Sequence, residues 1–409
     1  MKQIRNYPKA VVTKKAERSV EQGHPWIYDT EILSLEDGWE NGGLVDAVSE
    51  KGKYLGTGLL SQHSKIRIRL ISGNANDKFD AAFFERRIRY AWEYRKTVMA
   101  KDIGCCRVIF GEADQFPGLT ADRFNDILVT QTLSVGMERL KDTIFPLLYR
   151  VLTEDGQNIR GIYERNDVPI RELEGMKQNQ GWYPLAGVPC PDSMVTEIEE
   201  NGIRYLVDFE NGQKTGFFLD QKYNRLAVAK LAKGKQVLDC FTHTGSFALN
   251  AAKGGAAHVC AVDVSQTAVD MAAENARRNG LEDRMEFRRA NVFDLLPHLE
   301  EERQKAFDFI ILDPPAFTKS RKTVHNASKG YKEINLRAMK LLPRGGYLAT
   351  CSCSHFMPDE LFVKMLRSAA RDAGVQLRQI EARQQSPDHP ILWNVPETDY
   401  LKFYIFQVV

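Results

Sequence analysis

The spacing of apolar and polar positions changes several times along the chain, and each change marks an element. Over Ile66-Arg-Ile-Arg-Leu-Ile the alternation is strict, predicting a strand with Ile66, Ile68 and Leu70 on one face and Arg67 and Arg69 on the other. Gly42-Gly-Leu-Val-Asp-Ala-Val and Tyr54-Leu-Gly-Thr-Gly-Leu-Leu read as further short strands, and Gly23-His-Pro-Trp-Ile-Tyr as a turn entering one. Residues 1–75 are therefore expected to form a compact β-rich module. The spacing then turns helical over Phe83 to Ala100 and Glu138 to Thr153, with strand patterns at Arg107-Val-Ile-Phe, Ile127-Leu-Val-Thr-Gln-Thr-Leu and Gly161-Ile-Tyr-Glu-Arg. That mixture predicts a strand-rich α/β segment over 76–190. From 191 to 409 the pattern is that of one α/β domain.

Within that last domain, Gln236 to Gly280 reads as strand, tight turn, helix, strand and helix, one parallel βαβ unit, with a nucleotide-like ligand expected at the strand tips. A dinucleotide site would need a Gly-x-Gly-x-x-Gly turn, and only Gly245 of that triple is present, which disfavours pyrophosphate. Instead Asp239 closes the first strand, where a carboxylate can meet an amino-acid ammonium, and Asp263 closes the second, where it can hold two ribose hydroxyls. Asn291 and Asp294 follow the next strand, beside an expected adenine, and Asp313 follows the buried run Phe309-Ile-Ile-Leu. This series is the charge pattern for S-adenosylmethionine. Phe241, Thr244 and Gly245 in the turn and Ser265 after the second strand complete the candidate cofactor set. Any one of these residues alone is also what a helix cap or an ordinary turn would need. Lys214 and Thr215, on the glycine-flanked loop Asn211-Gly-Gln-Lys-Thr-Gly, are expected either to close over the cofactor carboxylate or to form a plain hairpin.

Composition narrows the class. A chain of 409 residues exceeds one ordinary core, so two or three domains are expected. No apolar run reaches the length of a membrane span and the N-terminus lacks an apolar signal core, so a cytoplasmic protein without a membrane partner is expected. Seven cysteines without paired spacing argue against a disulfide framework or a zinc site, and no metal is expected. The formal net charge of +2 does not announce nucleic acid. Local basic clusters at Lys14-Lys15, Lys65-Ile-Arg-Ile-Arg, Arg86-Arg87-Ile-Arg and Lys319-Ser-Arg-Lys are compatible with an RNA partner, although each also suits a solvated face. Glu112, Asp114, Asp122 and Arg123 could line a cleft, but structural ion pairs account for them equally.

Two segments bear on the reaction. In Asp313-Pro-Pro-Ala-Phe-Thr the paired prolines hold a strand exit rigid and aim a carboxylate beside a methyl donor. Such a set also serves methylation of base amino groups. The second segment, Cys351-Ser-Cys-Ser-His355, follows a late strand. Carbon-5 of a pyrimidine is a poor nucleophile until a thiolate adds to carbon-6, which requires one cysteine at the cleft mouth. Strand alternation points Cys351 and Cys353 the same way and cannot choose between them, and small core cysteines are the plain alternative. His355, Lys319 and His389 read as solvated loop residues, with a base or RNA contact as the other option.

Gly212-Gln-Lys-Thr-Gly-Phe-Phe-Leu-Asp-Gln, Leu238-Asp-Cys-Phe-Thr-His-Thr-Gly-Ser-Phe, Asp313-Pro-Pro-Ala-Phe and Ser352-Cys-Ser together resemble the bacterial 23S rRNA cytosine-C5 methyltransferase family over essentially the whole chain. The N-terminal module resembles the RNA-binding PUA domain through Lys14 to Ile27 and Gly52 to Ile71. The resemblance implies a Rossmann-like class I methyltransferase domain at 191–409, a PUA-like domain at 1–75 and a central α/β domain at 76–190. It further implies S-adenosylmethionine as cofactor, 23S rRNA as partner and methylation of a cytosine through a cysteine adduct, and it leaves a homodimer open. The family's nucleophile lies within Ser-Cys-Ser and maps onto Cys353, with Cys351 in reserve and Asp313 as the acid. Lys14, Arg67, Arg69 and Lys319, taken from the basic clusters, are the candidate RNA contacts. Wider RNA cytosine-C5 enzymes carry a second cysteine after the Asp-Pro-Pro segment, where Ala316 and Phe317 stand here. Two alternatives are an rRNA guanine or adenine N-methyltransferase, since related enzymes share the Gly-Gln-Lys-Thr-Gly and Asp-Pro-Pro segments, and a noncatalytic RNA-binding assembly factor.

Overall fold

A computed structural model describes residues 6–302, 306–318 and 320–409. The chain divides into two compact units. The first holds the residues up to Ile198 together with Val207–Leu219 and Pro387–Thr398; the second holds Glu199–Leu206, Asp220–Ser386 and Asp399–Val409.

The first unit contains two sheets. One has six strands, β1 (Lys9–Val12), β2 (Trp26–Tyr28), β3 (Ile32–Leu35), β4 (Leu44–Ser49), β5 (Tyr54–Leu60) and β6 (Ile66–Ser72), in the order β2-β6-β5-β4-β1-β3. Its core is small and aliphatic, built from Val12, Ile27, Val45, Leu60 and Ile68 around Ala16 of the helix Lys14–Glu21. That helix begins where Thr13 accepts the Ala16 amide, as an N-cap should. The other sheet has β7 (Cys105–Phe110), β8 (Leu119–Phe124), β9 (Ile127–Thr132), β10 (Gly161–Arg165) and β11 (Gln180–Tyr183), in the order β11-β10-β9-β8-β7, with helices Ala81–Met99 and Val135–Glu154.

This unit corrects one reading of the charged residues and decides another. Alternation places Arg67 and Arg69 on one face of β6, but neither guanidinium is simply offered to solvent. Arg69 is buried and its Nη2 donates to Glu174 Oε1 at 2.8 Å, because a buried carboxylate requires a cationic partner. Arg67 is half-buried and donates to the Ser61 and Gln62 carbonyls. Among the four candidate cleft residues, Asp114 pairs with Arg95 at 2.5 Å and Asp122 with Arg107 at 2.7 Å. Glu112 accepts from Trp26 Nε1 at 3.0 Å and Arg123 donates to Gln157 at 2.7 Å. His389 is buried against Asp388, not solvated.

A two-stranded ribbon, β12 (Val195–Glu200) and β13 (Ile203–Asp208), precedes the sheet of the second unit. That sheet has seven strands: β14 (Gln236–Cys240), β15 (His258–Asp263), β16 (Met285–Arg289), β17 (Phe309–Leu312), β18 (Tyr347–Ser352), β19 (Leu377–Arg383) and β20 (Lys402–Val408). Their order is β16-β15-β14-β17-β18-β20-β19. The first five are mutually parallel and β20 runs antiparallel between β18 and β19. Parallel strands covered on both faces read as continuous apolar runs, and Phe309, Ile310, Ile311 and Leu312 are indeed all buried. Each such side chain contributes about 1.5–3 kcal/mol. The order reverses direction between β14 and β17, and at such a switch point the carboxyl ends of the strands leave a crevice for a ligand.

Candidate active site

The turn leaving β14 is shaped by three left-handed residues, Phe241 (φ 64°), His243 (φ 52°) and Gly245 (φ 82°). Two of them are not glycine, a conformation held against a steric cost of about 1–3 kcal/mol each and characteristic of sites where backbone must be aimed. Gly245 is needed twice over: a Cβ there would stand 2.9 Å from Ala272 Cβ in the helix Gln266–Arg278.

Asp239 lies beneath this turn, fully buried. Its Oδ2 accepts from Thr242 Oγ1 at 2.6 Å and from the Ala248 amide at 2.9 Å. Its Oδ1, like the buried Thr244 Oγ1, has no hydrogen-bond partner among the described residues. Burial pushes the Asp239 carboxyl up to about 7, with Asp313 and Asp263 adding to the shift and the Thr242 and Ala248 hydrogen bonds opposing it. A buried carboxylate oxygen without a donor beside a strand end is what an ammonium-bearing ligand fits.

At the tip of β15, Asp263 accepts the His243 amide on Oδ2 at 3.0 Å and the Ser265 amide on Oδ1 at 2.9 Å. Ser265 caps the helix Gln266–Arg278. After β16, Asn291 caps the helix Val292–Glu301 and its Nδ2 donates to Asp294 Oδ2 at 2.9 Å. Phe241, Phe293, Phe317 and Tyr331 follow one another at centroid separations of 6.5, 5.6 and 4.6 Å, an aromatic wall from the β14 turn to the helix Val324–Leu341. Lys214 and Thr215 belong to the first unit. Lys214 is exposed with its ammonium 4.8 Å from the Phe218 ring centroid, and the buried Thr215 hydroxyl donates to Asp122 at 2.6 Å.

At the ends of β17 and β18 the two cysteines part company. Cys351 is the fifth residue of β18, buried, and its thiol donates to Asp313 Oδ1 at 2.9 Å. Burial and the Asp313 carboxylate push that thiol well above its ordinary range, so it is a neutral donor. Cys353 lies one residue beyond the strand end and is half-buried, so alternation does not extend to it. Both neighbours of Cys353 are anchored: Ser352 Oγ donates to Tyr331 Oη at 3.0 Å and Ser354 Oγ to the Thr318 carbonyl at 2.8 Å. Asp313 is also raised, by burial above all and by Asp220, with the Cys351 and Gln221 hydrogen bonds and Arg225 holding it down. A carboxyl biased toward its protonated form can donate a hydrogen bond to a base edge.

Sequence reasoning missed two residues here. Gln221 Nε2 reaches both Asp313 Oδ1, at 3.2 Å, and Cys351 Sγ, at 3.4 Å. Lys402, at the start of β20, donates to the Ser354 and Tyr400 carbonyls. Gln221 closes the Gly212-to-Gln221 run and could have been noticed there; nothing local marks Lys402. Lys319 lies outside the described residues, and Lys14 is exposed at the head of its helix. Among the described residues no group of three or more His, Cys, Asp or Glu is placed to hold a metal, and no helix is long and apolar enough to cross a membrane.

Residues 184–406 match the model of an S-adenosylmethionine-dependent methyltransferase family and residues 10–73 that of a PUA-like domain. A relative from Klebsiella pneumoniae (strain 342), called ribosomal RNA large subunit methyltransferase I, is 39% identical over 98% of this chain and 99% of its own. A relative of the same name from Salmonella arizonae is 40% identical over 99% and 98%. Among solved structures, a proposed S-adenosylmethionine-dependent methyltransferase from Streptococcus mutans is 23% identical and superposes with a TM-score of 0.82 over 98% of this chain and all of that one. A second proposed methyltransferase, complexed with S-adenosylhomocysteine and also 23% identical, gives 0.81 over 98% and 100%.

Proposed function

The chain belongs to the S-adenosylmethionine-dependent methyltransferases, among the relatives called ribosomal RNA large subunit methyltransferase I, and we propose that it methylates carbon-5 of a cytosine in 23S rRNA through a Cys353 adduct. It is an rRNA methyltransferase that uses S-adenosylmethionine. What carries the finer reading is a half-buried thiol, Cys353, held between two anchored serines just past the end of β18, together with an acid-biased carboxyl, Asp313, just past the end of the parallel neighbour β17.

Asp239 is the proposed ammonium partner, through the Oδ1 that the fold leaves without a donor. Asp263 is the proposed ribose partner, while Asn291, Asp294 and Phe241 are assigned to the adenine side and Thr244, Gly245 and Ser265 to the turns around it. S-adenosylmethionine supplies an electrophilic methyl group when bound. Addition of the Cys353 thiolate to carbon-6 forms an S–C6 bond and moves electron density onto carbon-5, while Asp313 protonates N3 and so lowers the barrier to attack. After methyl transfer, loss of the carbon-5 proton to a base lets the S–C6 bond break, and the N3 proton returns to Asp313. Cys351, its proton shared with Asp313, is assigned to orienting that carboxyl and not to attack. Residues 1–75, with Lys14 and Arg67, are the proposed RNA-gripping module, joined to a central segment at 76–190 and the catalytic segment at 191–409.

The test is a 23S rRNA fragment transcribed with 5-fluorocytidine. The expected result is a complex that survives denaturing electrophoresis with the wild-type chain and with Cys351→Ala, and is lost with Cys353→Ala. A chain that methylates ordinary rRNA yet forms no such complex would overturn the carbon-5 reading in favour of N-methylation at the Asp313-Pro-Pro-Ala-Phe segment.

A further inference from the structure

Lys402 opens β20 opposite Ser352 of β18 in the antiparallel ladder. Its side chain is buried, and its ammonium donates to the Ser354 carbonyl at 2.7 Å and the Tyr400 carbonyl at 2.8 Å. Ser354 directly follows Cys353, so the charge is seated under the turn that presents the thiol. Among the described residues no carboxylate oxygen lies within ion-pair distance of Lys402. A buried ammonium that meets only neutral carbonyls is expensive to keep charged. Burial accordingly pulls it down to about 8.

The groups that favour its charged form are, in order, Cys353, Asp399, Asp359 and Cys351. Both carboxylates are engaged elsewhere: Asp399 accepts from Gln384 Nε2 at 3.0 Å and Asp359 from Tyr404 Oη at 2.6 Å. Cys351 keeps its proton against Asp313. Tyr331, on the helix facing the same turn, has its hydroxyl proton held by burial. Cys353 stands first among these groups, and the ammonium is hydrogen-bonded to the carbonyl of the residue that follows it.

We propose that Lys402 is a positioning residue whose buried ammonium holds Cys353 as a thiolate, the thiol proton leaving to solvent before the RNA base arrives. The inference rests on Cys353 being the nucleophile. A cation beside a cysteine favours the form that attacks, and the coupling is reciprocal: the thiolate keeps the ammonium charged in its desolvated seat. A clamp serving only to fix the turn would make the same two carbonyl bonds but would leave thiol ionisation unchanged.

The experiment follows carbamidomethylation of Cys353 by iodoacetamide against pH in the full chain. Peptide mass spectrometry resolves the site, and the exposed Cys190 serves as internal reference. Lys402→Met is expected to slow Cys353 alkylation at pH 7 by about tenfold and to displace its pH curve upward, with Lys402→Arg restoring most of the rate. A folded Lys402→Met chain, checked by its melting temperature and S-adenosylmethionine affinity, whose Cys353 curve overlays the wild type would overturn the proposal. A second measurement needs no change at Lys402: with the Lys402 side chain labelled for NMR, Cys353→Ala is expected to move the lysine titration to lower pH, and an unmoved titration would also overturn it. Neither readout uses RNA. If no 5-fluorocytosine complex forms while the alkylation curves separate, the carbon-5 reading fails and the pair stands; if the complex forms and the curves coincide, the pair fails alone.

Discussion

At Asp239 the strand end buries a carboxyl completely, gives one oxygen two donors and leaves the other with none among the described residues. Its raised value, about 7 against an ordinary 3.8, means the folded chain holds this proton to higher pH than the unfolded chain. Its contribution therefore lowers stability as pH rises from about 4 to about 7 and levels off above that. Binding of a cation at Oδ1 reverses the preference and expels the proton. S-adenosylmethionine affinity is expected to strengthen as pH rises toward 7, with close to one proton released per molecule bound at pH 6, measured by calorimetry in buffers of different ionisation enthalpy. Asp239→Asn is expected to abolish that proton release and weaken binding at least tenfold, while melting higher than wild type at pH 8 without ligand. Proton release undiminished in Asp239→Asn would remove Asp239 from the cofactor site. The same residue shows what one-dimensional reading does well: an acidic residue at the end of an apolar run announces a strand tip. The unsatisfied oxygen is a fact of three dimensions and has no signature in the letters.

Elements carry the next level. The turn between β14 and the helix Ser246–Lys253 is legible because its glycine and the small residues after it have no other use in a βαβ unit. The two left-handed non-glycine residues within it are not, since Phe rarely takes that conformation and His, though enriched there, takes it at few positions. Gly245→Ala combines a strained φ with a 2.9 Å approach to Ala272 Cβ. It is expected to cost about 1–3 kcal/mol by chemical denaturation, with S-adenosylmethionine affinity falling in parallel. An unchanged denaturation midpoint would show that the helix Gln266–Arg278 yields freely. Strand periodicity also reached its limit at β18, which ends at Ser352, so Cys351 and Cys353 take unrelated environments although two residues apart. The partners that separate them come from far along the chain: Gln221 stands 130 positions from Cys351 and Lys402 stands 48 from Ser354. Such pairings depend on sheet order, which local patterns do not specify.

For the whole molecule, near-neutral net charge leaves RNA affinity to a few sites, and the structure sorts the basic residues that sequence alone grouped together. Lys14 is exposed while Arg69 is consumed by Glu174, 105 positions away. Lys14→Ala is expected to weaken binding of rRNA fragments about evenly across sequences and to reduce the salt slope by about one, read by fluorescence anisotropy against potassium chloride. Arg69→Ala is expected to act instead on stability, by about 3–5 kcal/mol, because it leaves a buried carboxylate uncompensated. Identical behaviour of the two variants in both assays would undo that division. Alternation was right about which face Arg69 takes; it could not say that the face would be covered.

Residues 387–398 belong with the first unit, where the Asp388 carboxylate accepts the Arg107 amide at 2.9 Å and the Arg95 guanidinium donates to the Asp388 carbonyl at 2.9 Å. A ribosome must therefore synthesise nearly all of the second unit before it releases the piece that closes the first. Until then the first unit has Arg95 on Asp114 and Arg107 on Asp122 but lacks both Asp388 bonds, so its last contacts wait on residues made after Ser386.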